Sequence, residues 1–479
     1  MPAPATPTHA RHYLDGRWHD TGGRGESRSP ATDELLGTFA DGGAQEARTA
    51  IAAARTAFDS TDWSRDRHRR ATALHHIADL LENRREELVT LLARENGKIL
   101  SEAGFEVDAA PAKLRYYAAL ALTDHGRASE ARPGMYSMTL REAAGVAGVI
   151  VPWNSPVVLS TRSFAPALAA GCTVVMKMPA QTGLVNGLLS DIFDSTPGLS
   201  PGVINVFTES GNAGAAELIS SPDVDVISYT GSTTVGRVIM ENAASTLKGL
   251  TMELGGKTPM LVFDDVDVDA VVPALTKAIT TFAGQFCMAG SRVLVQRGVA
   301  DQLRERLVAS LGAIRVGPGD DTATEMGAMI DVGNARRVEQ IVAAAGDYAT
   351  ILVQGTRHGA LLSPSLIEVA DVSAPIVQDE VFGPVATFEV FDTETEAMTR
   401  ANATEHGLAA SIWTRDVDRP LHIGRELKAG TIWTNTWAVV HDQFEEGGFK
   451  QSGVGRLNGI RGLEEFQQIK HLVFVAPPL

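Results

Sequence analysis

The chain is poor in cysteine: Cys172 and Cys287 are its only two thiols in 479 residues. With no Cys-x-x-Cys spacing and no paired histidine cluster beside them, neither a disulfide framework nor structural zinc is expected, and no metal is assigned. Basic charge is also in short supply. Against 58 acidic side chains there are 42 basic ones, a formal net charge of −16, so a phosphate backbone is repelled and nucleic acid is excluded as a partner. No apolar run, the opening MPAPATPTHARHYL included, is long enough for a membrane span or a signal-peptide core. A membrane partner is therefore excluded, and the cytoplasm is the expected compartment. Low-complexity tracts, internal repeats and long flexible linkers are missing too.

What is present is ordinary globular material, 44% hydrophobic and 21% charged. The chain exceeds what one hydrophobic core usually supports, so two or more closely packed domains are expected. Helical spacing of apolar residues runs through AQEARTAIAAARTAF at 44–58 and through a longer span, RRATALHHIADLLENRREELVTLLAREN, at 69–96, which predicts a helix-rich first third. From Gly145 the texture changes to short apolar runs separated by helical stretches: GVAGVIV, CTVVMKM, GVINVF, VDVISYT and TPMLVF. Such alternation predicts βαβ units feeding a mostly parallel sheet. A second α/β series begins near Val268, and the closing IKHLVFVAPPL is strand-like and suited to pairing with the sheet edge of a partner.

Several residues carry chemical promise, each with a plainer reading beside it. VISYTGSTTVGR ends a predicted strand at Thr230 and enters a helix through Gly231, Ser232 and Gly236; the N–H groups there suit a diphosphate, or the glycines simply serve a tight turn. Lys177 follows the apolar CTVVM at the carboxyl end of a strand, where open α/β sheets bind ligands, or it is merely solvated. Glu253 precedes a Gly pair that permits close backbone approach, as a base or as a turn residue. Cys287 is a nucleophile or a small buried hydrophobe, and Cys172, inside LAAGCTVVM, is assigned to packing.

Taken together and in order, PWNSP at 152–156, GCTVVMKMPAQT at 171–182, YTGSTTVG at 229–236, MELGGK at 252–257, GQFCMAG at 284–290, EVFGPV at 380–385 and GGFKQSGVGR at 447–456 resemble the aldehyde dehydrogenase superfamily over nearly the whole chain. The resemblance implies an α/β fold with two Rossmann-type domains and a small β oligomerisation element. It places a dinucleotide-binding domain at 1–124 and 144–253, a catalytic domain at 254–466, and a bridging element at 125–143 and 467–479. It implies NAD or NADP as cofactor, a small-molecule aldehyde as substrate, and a homodimer that can pair into a homotetramer. Cys287 is the implied nucleophile, Asn154 and the Cys287 N–H the implied oxyanion donors, and Glu253 the implied base that hydrolyses a thioester, which favours the acid-forming branch over relatives that transfer to coenzyme A. Around the cofactor it sets Lys177, Ser232, Gly231 and Gly236, with Glu380 on the nicotinamide ribose, Phe382 beside the ring, and Pro152 and Trp153 shaping the crevice.

The chain departs from the family pattern at four places. Ala180 stands where a ribose-binding glutamate is common, which admits NADP beside NAD. Glu209 replaces a loop glycine, Leu457 replaces a second carboxylate, and Glu445 and Glu446 replace a Pro-Phe pair at the tunnel mouth. For the substrate wall, Phe286, Met288, Trp437 and Val440 suggest an apolar funnel suited to an aromatic or medium aliphatic aldehyde. Arg162 is read first as solvated or helix-capping, and second as a holder of a substrate carboxylate; the Glu445–Glu446 pair suits a cationic substrate such as betaine aldehyde. Acyl transfer to coenzyme A, or a catalytically silent binding protein of the same fold, are the remaining alternatives.

Overall fold

The computed structural model describes residues 9–123 and 125–476. Residues 1–8, read above for a leader, the domain boundary at 124, and the end of the bridging element at 477–479 lie outside them. The first third is less purely helical than its periodicity predicts, because five short strands precede the first helix: His9–Ala10, His12–Leu14, Arg17–His19, Gly23–Arg28 and Leu35–Asp41. The local cause for one pair is Asp15-Gly16, both at positive φ (52° and 67°), which turns His12–Leu14 back onto Arg17–His19 as a two-residue hairpin.

Helix α1 spans Ala44–Ser60; the side chain of Glu46 accepts the Gly43 N–H at 2.9 Å, and Ala47, Ala50, Ile51, Ala54 and Ala57 form its buried stripe. The long helical span expected at 69–96 is two helices, α2 (Arg67–Asn83) and α3 (Arg85–Asn96), broken at Arg84. Helix α3 stops at Gly97 in the left-handed region, φ 88°, and after a short turn α4 runs from Leu100 to Thr123.

Five parallel strands then form the heart of the first sheet: β1 (Val146–Ile150), β2 (Thr173–Pro179), β3 (Ile204–Glu209), β4 (Val226–Thr230) and β5 (Gly249–Glu253). Their spatial order is β5-β4-β1-β2-β3, extended by Gly453–Val454 beyond β5 and by the N-terminal hairpin beyond β3. The chain leaves β1 in one direction to build β2 and β3, then returns to the other side of β1 with β4. The crevice beyond the carboxyl ends of β1 and β4 is therefore the topological switch point, where such sheets bind ligands. Helix α5 (Pro156–Ala170) follows β1 and is buried on all sides; helices α6 (Gly183–Asp194), α7 (Ala213–Ser220) and α8 (Thr233–Ala243) make the other crossovers.

The second sheet has seven strands. Six are parallel: β6 (Pro259–Val262), β7 (Arg292–Gln296), β8 (Ser365–Glu368), β9 (Val385–Phe391), β10 (Ala409–Trp413) and β11 (Thr431–Thr434), in the order β8-β9-β7-β6-β10-β11, with Thr350–Val353 antiparallel at the β8 edge. Only Leu254 to Thr258 separate β5 from β6, so the end of the first sheet opens directly into the second. Helix α9 (Val268–Thr280) returns from β6, and the segment carrying Cys287 connects it to β7. A third sheet of three strands, Gln467–Val475, Met135–Ala143 and Arg127–Arg132, is antiparallel, and Gln467–Val475 pairs along its whole length with the same chain's Met135–Ala143. Its other edge is open, with Ile469, Val473, Phe474 and Val475 exposed. Among the described residues no helix is long and apolar enough to cross a membrane.

Candidate active site

Three segments meet between the two sheets. Asn154 comes from the turn between β1 and α5, Glu253 closes β5, and Cys287 lies in the connection before β7. Gly255 and Gly256 make the approach possible: a Cβ at Gly256 would stand 2.2 Å from the Cys287 carbonyl oxygen, and one at Gly255 would stand 2.4 Å from Glu380 Oε2. Any larger residue would force the linker away from the thiol.

Asn154 is buried, and its Nδ2 donates to the Gln285 carbonyl at 3.0 Å. An amide nitrogen carries two hydrogens, so a second N–H stays available. The Cys287 N–H has no hydrogen-bond partner among the described residues. Two donors thus remain for an oxygen placed beside the sulfur. Helical φ/ψ in Phe282 (54°, 34°) and Ala283 (52°, 39°) is left-handed, a strained reversal just upstream of the thiol. Gln285 braces it, donating through Nε2 to the Phe282 carbonyl at 3.0 Å and accepting the Ile330 N–H at 2.9 Å.

Burial governs the titration of the centre. It pushes the Cys287 thiol up to about 12, with the Arg162 guanidinium acting against it and the carboxylates of Glu446, Glu380 and Glu253 adding to it. Burial also raises Glu253, opposed by Arg162 and reinforced by Glu446. Glu253 Oε1 and Arg162 Nε are buried without a hydrogen-bond partner among the described residues. Unsatisfied polar atoms cost stability, and a pair of them beside a nucleophile marks where a ligand or water completes the structure.

Arg162 is neither solvated nor a helix cap, which corrects the first reading of it. It sits inside α5, where neighbours bury it on every side; Nη1 donates to Glu446 at 3.0 Å and Nη2 to Thr230 Oγ1 at 3.1 Å. Thr230 is the register partner of Glu253 across β4 and β5, so the guanidinium stands next to the base. The acidic mouth pair is corrected for the same reason. Glu446 is buried, gives one oxygen to Arg162 and the other to Asn458 Nδ2 at 2.9 Å, and has no charge to spare, while exposed Glu445 accepts the Arg461 N–H at 3.3 Å.

The apolar wall is narrower than four residues. Phe286 stacks edge-on against Trp437, ring centres 5.8 Å apart at 89°, and Trp437 Nε1 donates to the Met288 carbonyl at 2.8 Å. The Met288 side chain is buried with Leu408, Ala409 and Trp433, so it packs behind the wall, and Val440 is exposed on the following loop. A side chain buried in the way of Met288 does not line a funnel.

Of the cofactor candidates, Pro152 and Trp153 leave the carboxyl end of β1 at the switch point, and Trp153 stacks edge-on with Phe382 at 5.5 Å and 83°. Phe382 holds a positive φ of 53°. Glu380 accepts the Gly256 N–H at 3.1 Å and is raised to about 7 by burial, with that N–H and the Lys257 and Arg337 cations opposing. Lys177 lies within β2 rather than after it. Burial lowers its ammonium against the pull of Glu209 and Asp41, and it has no partner among the described residues. Ser232 caps α8, accepting the Val235 N–H at 3.3 Å. Gly236 does not cradle a phosphate: its N–H bonds Ser232 O inside the helix, and a Cβ there would strike Leu254 at 2.6 Å. The Gly231 N–H is likewise taken, by Glu253 O at 3.0 Å. The unpartnered Lys177 cation, the helix start at Ser232 and the Glu380 carboxyl fit a dinucleotide laid across the switch point.

Sequence reasoning missed Lys98, Glu102 and Glu106 behind the site. A readable signal existed for Glu106, which continues the α4 stripe of Ala103, Val107, Ala110 and Leu114, all buried; a carboxylate in an apolar stripe needs a buried partner. Lys98, in an interhelical turn, carries no such mark.

A family model described as the aldehyde dehydrogenase family matches residues 18–472. A betaine aldehyde dehydrogenase from Bacillus subtilis is 36% identical over 473 residues, covering 96% of each chain. A solved betaine aldehyde dehydrogenase from Staphylococcus aureus, in complex with NAD+, superposes with a TM-score of 0.93 at 35% identity, covering 98% of this chain and 96% of that one. An NADP-dependent enzyme of E. coli superposes equally well, with a TM-score of 0.93 at 33% identity and 98% of both chains covered.

Proposed function

The chain belongs to the aldehyde dehydrogenase family, and from that premise we propose that it oxidises an uncharged aromatic or medium aliphatic aldehyde to its carboxylic acid, with Cys287 as nucleophile, Asn154 as oxyanion donor and Glu253 as the base for water. Its class is that of an NAD(P)-dependent oxidoreductase acting on aldehydes. The observation that carries the residue roles is the pair of open donors, the Asn154 amide and the Cys287 N–H, beside a sulfur that shares its cleft with Glu253.

The Cys287 thiol gives its proton to water as its sulfur bonds the aldehyde carbon, and the carbonyl oxygen becomes an oxyanion received by the two donors. NAD(P), when bound, supplies the acceptor for the hydride that leaves that carbon. Loss of hydride leaves a thioester on Cys287. Glu253 takes a proton from water, the resulting hydroxide displaces the sulfur as thiolate, the proton passes from Glu253 back to the sulfur, and the acid departs. Aldehyde, oxidised cofactor and water give acid, reduced cofactor and one proton, so the balance closes. Lys177 and Ser232 would hold the adenosine side of the cofactor, with Glu380 and Phe382 on the nicotinamide side.

The uncharged substrate class rests on Phe286 and Trp437 together with the mutual neutralisation of Arg162 and Glu446. A second reading, betaine aldehyde, is favoured by the names of the relatives above, although Glu446 is already committed to Arg162. We further assign residues 9–123 and 144–253 to cofactor binding and 254–466 to catalysis. The exposed apolar strand Gln467–Val475 is assigned to a homo-oligomeric contact. A reducing compartment such as the cytoplasm suits a nucleophile that must remain a free thiol.

The test is reduction of NAD or NADP, followed by absorbance, with benzaldehyde, hexanal and betaine aldehyde, each with and without coenzyme A. Turnover of the uncharged pair without coenzyme A is expected. Strict dependence on coenzyme A, or turnover of betaine aldehyde alone, overturns the reading.

A further inference from the structure

Behind the reacting groups lies a second cluster of buried charge. Lys98 and Glu106 form an ion pair with 1% and 0% of their side chains exposed. Lys98 Nζ also donates to the Asn154 carbonyl at 2.8 Å and lies 4.1 Å from the centre of the Phe282 ring. Glu106 Oε1 accepts the Val157 N–H at 2.8 Å, at the start of α5. Glu102 Oε1 accepts the Phe282 N–H at 2.8 Å, and its other oxygen accepts the Ile99 N–H at 3.3 Å.

These contacts divide into two grips. One holds the Asn154 turn, through Lys98 on the Asn154 carbonyl and Glu106 on Val157. The other holds the strained reversal before Cys287, through Glu102 on the Phe282 N–H and Lys98 on the Phe282 ring. Both grips come from residues 98–106, which belong to neither segment. The turn with Asn154 and the reversal leading to Cys287 are separated by more than a hundred residues, and the Asn154–Gln285 hydrogen bond is their direct link. A single hydrogen bond fixes a distance but not an orientation, whereas two donors must converge on one oxygen to within a few tenths of an ångström.

We propose that Lys98, with Glu102 and Glu106, is a positioning unit that sets the orientation of the Asn154 amide relative to the Cys287 N–H, so that both donors reach the same oxygen. The proposal rests on the reading of those two groups as the oxyanion donors. Its members touch neither substrate nor cofactor. They act through the two segments they hold, and the charges serve to pin Lys98 rather than to exchange protons.

The experiment compares the first-turnover burst of reduced cofactor at saturating hexanal and NAD in four proteins: the natural chain, Asn154→Ala, Lys98→Met/Glu106→Gln, and the triple combination. The double change removes both charges of the ion pair together, and Glu102 keeps its two backbone donors, the Phe282 and Ile99 N–H groups. Asn154→Ala is expected to slow the burst about 10²–10³-fold, as loss of one oxyanion donor does. The double variant is expected to slow it about 10–50-fold, the scale of a sub-ångström misplacement, while the dissociation constant for NAD, read by protein fluorescence, stays within about twofold. The triple variant should be slower than Asn154→Ala by clearly less than the double variant's own loss, because an amide that is gone cannot be misaligned and only the Lys98 contact on the Phe282 ring remains to be lost.

A double variant with the natural burst rate overturns the proposal, and so does a triple variant in which the two losses multiply, since that is the signature of general loosening. A natural burst rate in Asn154→Ala overturns the reading underneath, and the proposal with it. If the double variant folds poorly, Glu106→Gln alone is taken through the same cycle, with an expected slowing of about 3–10-fold that again shrinks without Asn154.

Discussion

Two groups of buried charge meet on either side of the Asn154 turn and are built differently. In the rear cluster every charged side chain has its partners: Lys98 holds Glu106 and the Asn154 carbonyl, Glu106 also accepts from Val157, and Glu102 accepts from Phe282 and Ile99. At the reacting centre the accounting stays open, with Glu253 Oε1, Arg162 Nε and the Cys287 N–H all unpartnered among the described residues. Burying charge is costly in either place. The closed group recovers the cost within the protein, and rigidity is the result. The open group leaves it unrecovered, as expected where a ligand, a water or a transition state is to supply the missing contact. The difference teaches that satisfaction, more than burial or charge, separates support from chemistry here.

The sharpest way to break this comparison is Cys287→Ala. If the open centre is the reactive one, steady cofactor reduction falls by at least about 10⁴-fold, the scale of removing a nucleophile, while NAD binding measured by fluorescence persists. A variant that still turns over would assign the chemistry to another group.

Next in size is Glu253→Gln. Without a base for water, the thioester should accumulate on Cys287, seen as a single burst of reduced cofactor and a mass shift of the intact protein, with steady turnover down about 10²–10⁴-fold. The pH dependence has a definite sign. Burial raises the Glu253 carboxyl, so its ionised, water-activating form appears only above the usual carboxylate range. Deacylation in the natural protein should therefore climb with pH above that range, and the climb should vanish in Glu253→Gln. A burst without accumulation, or a pH profile unchanged by the substitution, would remove Glu253 from the mechanism.

The fold was legible where local pattern decides it. The apolar runs at 145–151, 172–178, 202–207, 224–230 and 258–263 became parallel strands within two residues of their expected ends, because a strand buried on both faces is a continuous hydrophobic run. The early strands were overlooked since they are short and partly exposed, and the Asp15-Gly16 turn was the signal to use. At the site, Glu253 and Cys287 stood in stretches whose small residues, Gly255 and Gly256 among them, are needed for close approach, and Asn154 stood in PWNSP; the structure brings the three segments together. Arg162 was misjudged for a physical reason: its partner Glu446 lies 284 residues away, and no periodicity within α5 announces a charge that is balanced by another part of the chain. Met288 was misjudged in the same manner, since sequence adjacency to a reactive residue does not say which way a side chain faces.

The smallest effect tests the most specific part of the comparison, whether the open centre is also selective. Arg162 and Glu446 are 4% and 7% exposed at their side chains and neutralise each other. A carboxylate on the substrate would have to displace Glu446 from the guanidinium, and a quaternary ammonium would have to approach the guanidinium itself. On the proposed reading both are disfavoured against an uncharged tail. Glu446→Gln keeps the shape and the Asn458 contact but leaves Arg162 with an unbalanced charge. A charge-assisted hydrogen bond contributes about 1.5–3 kcal/mol, so an aldehyde ending in a carboxylate should gain about tenfold or more in kcat/KM relative to its methyl-ended isostere. Betaine aldehyde should move the opposite way. Should the ratio stay fixed in the variant, the pair belongs with the closed cluster as support, and selectivity lies with Phe286 and Trp437 alone.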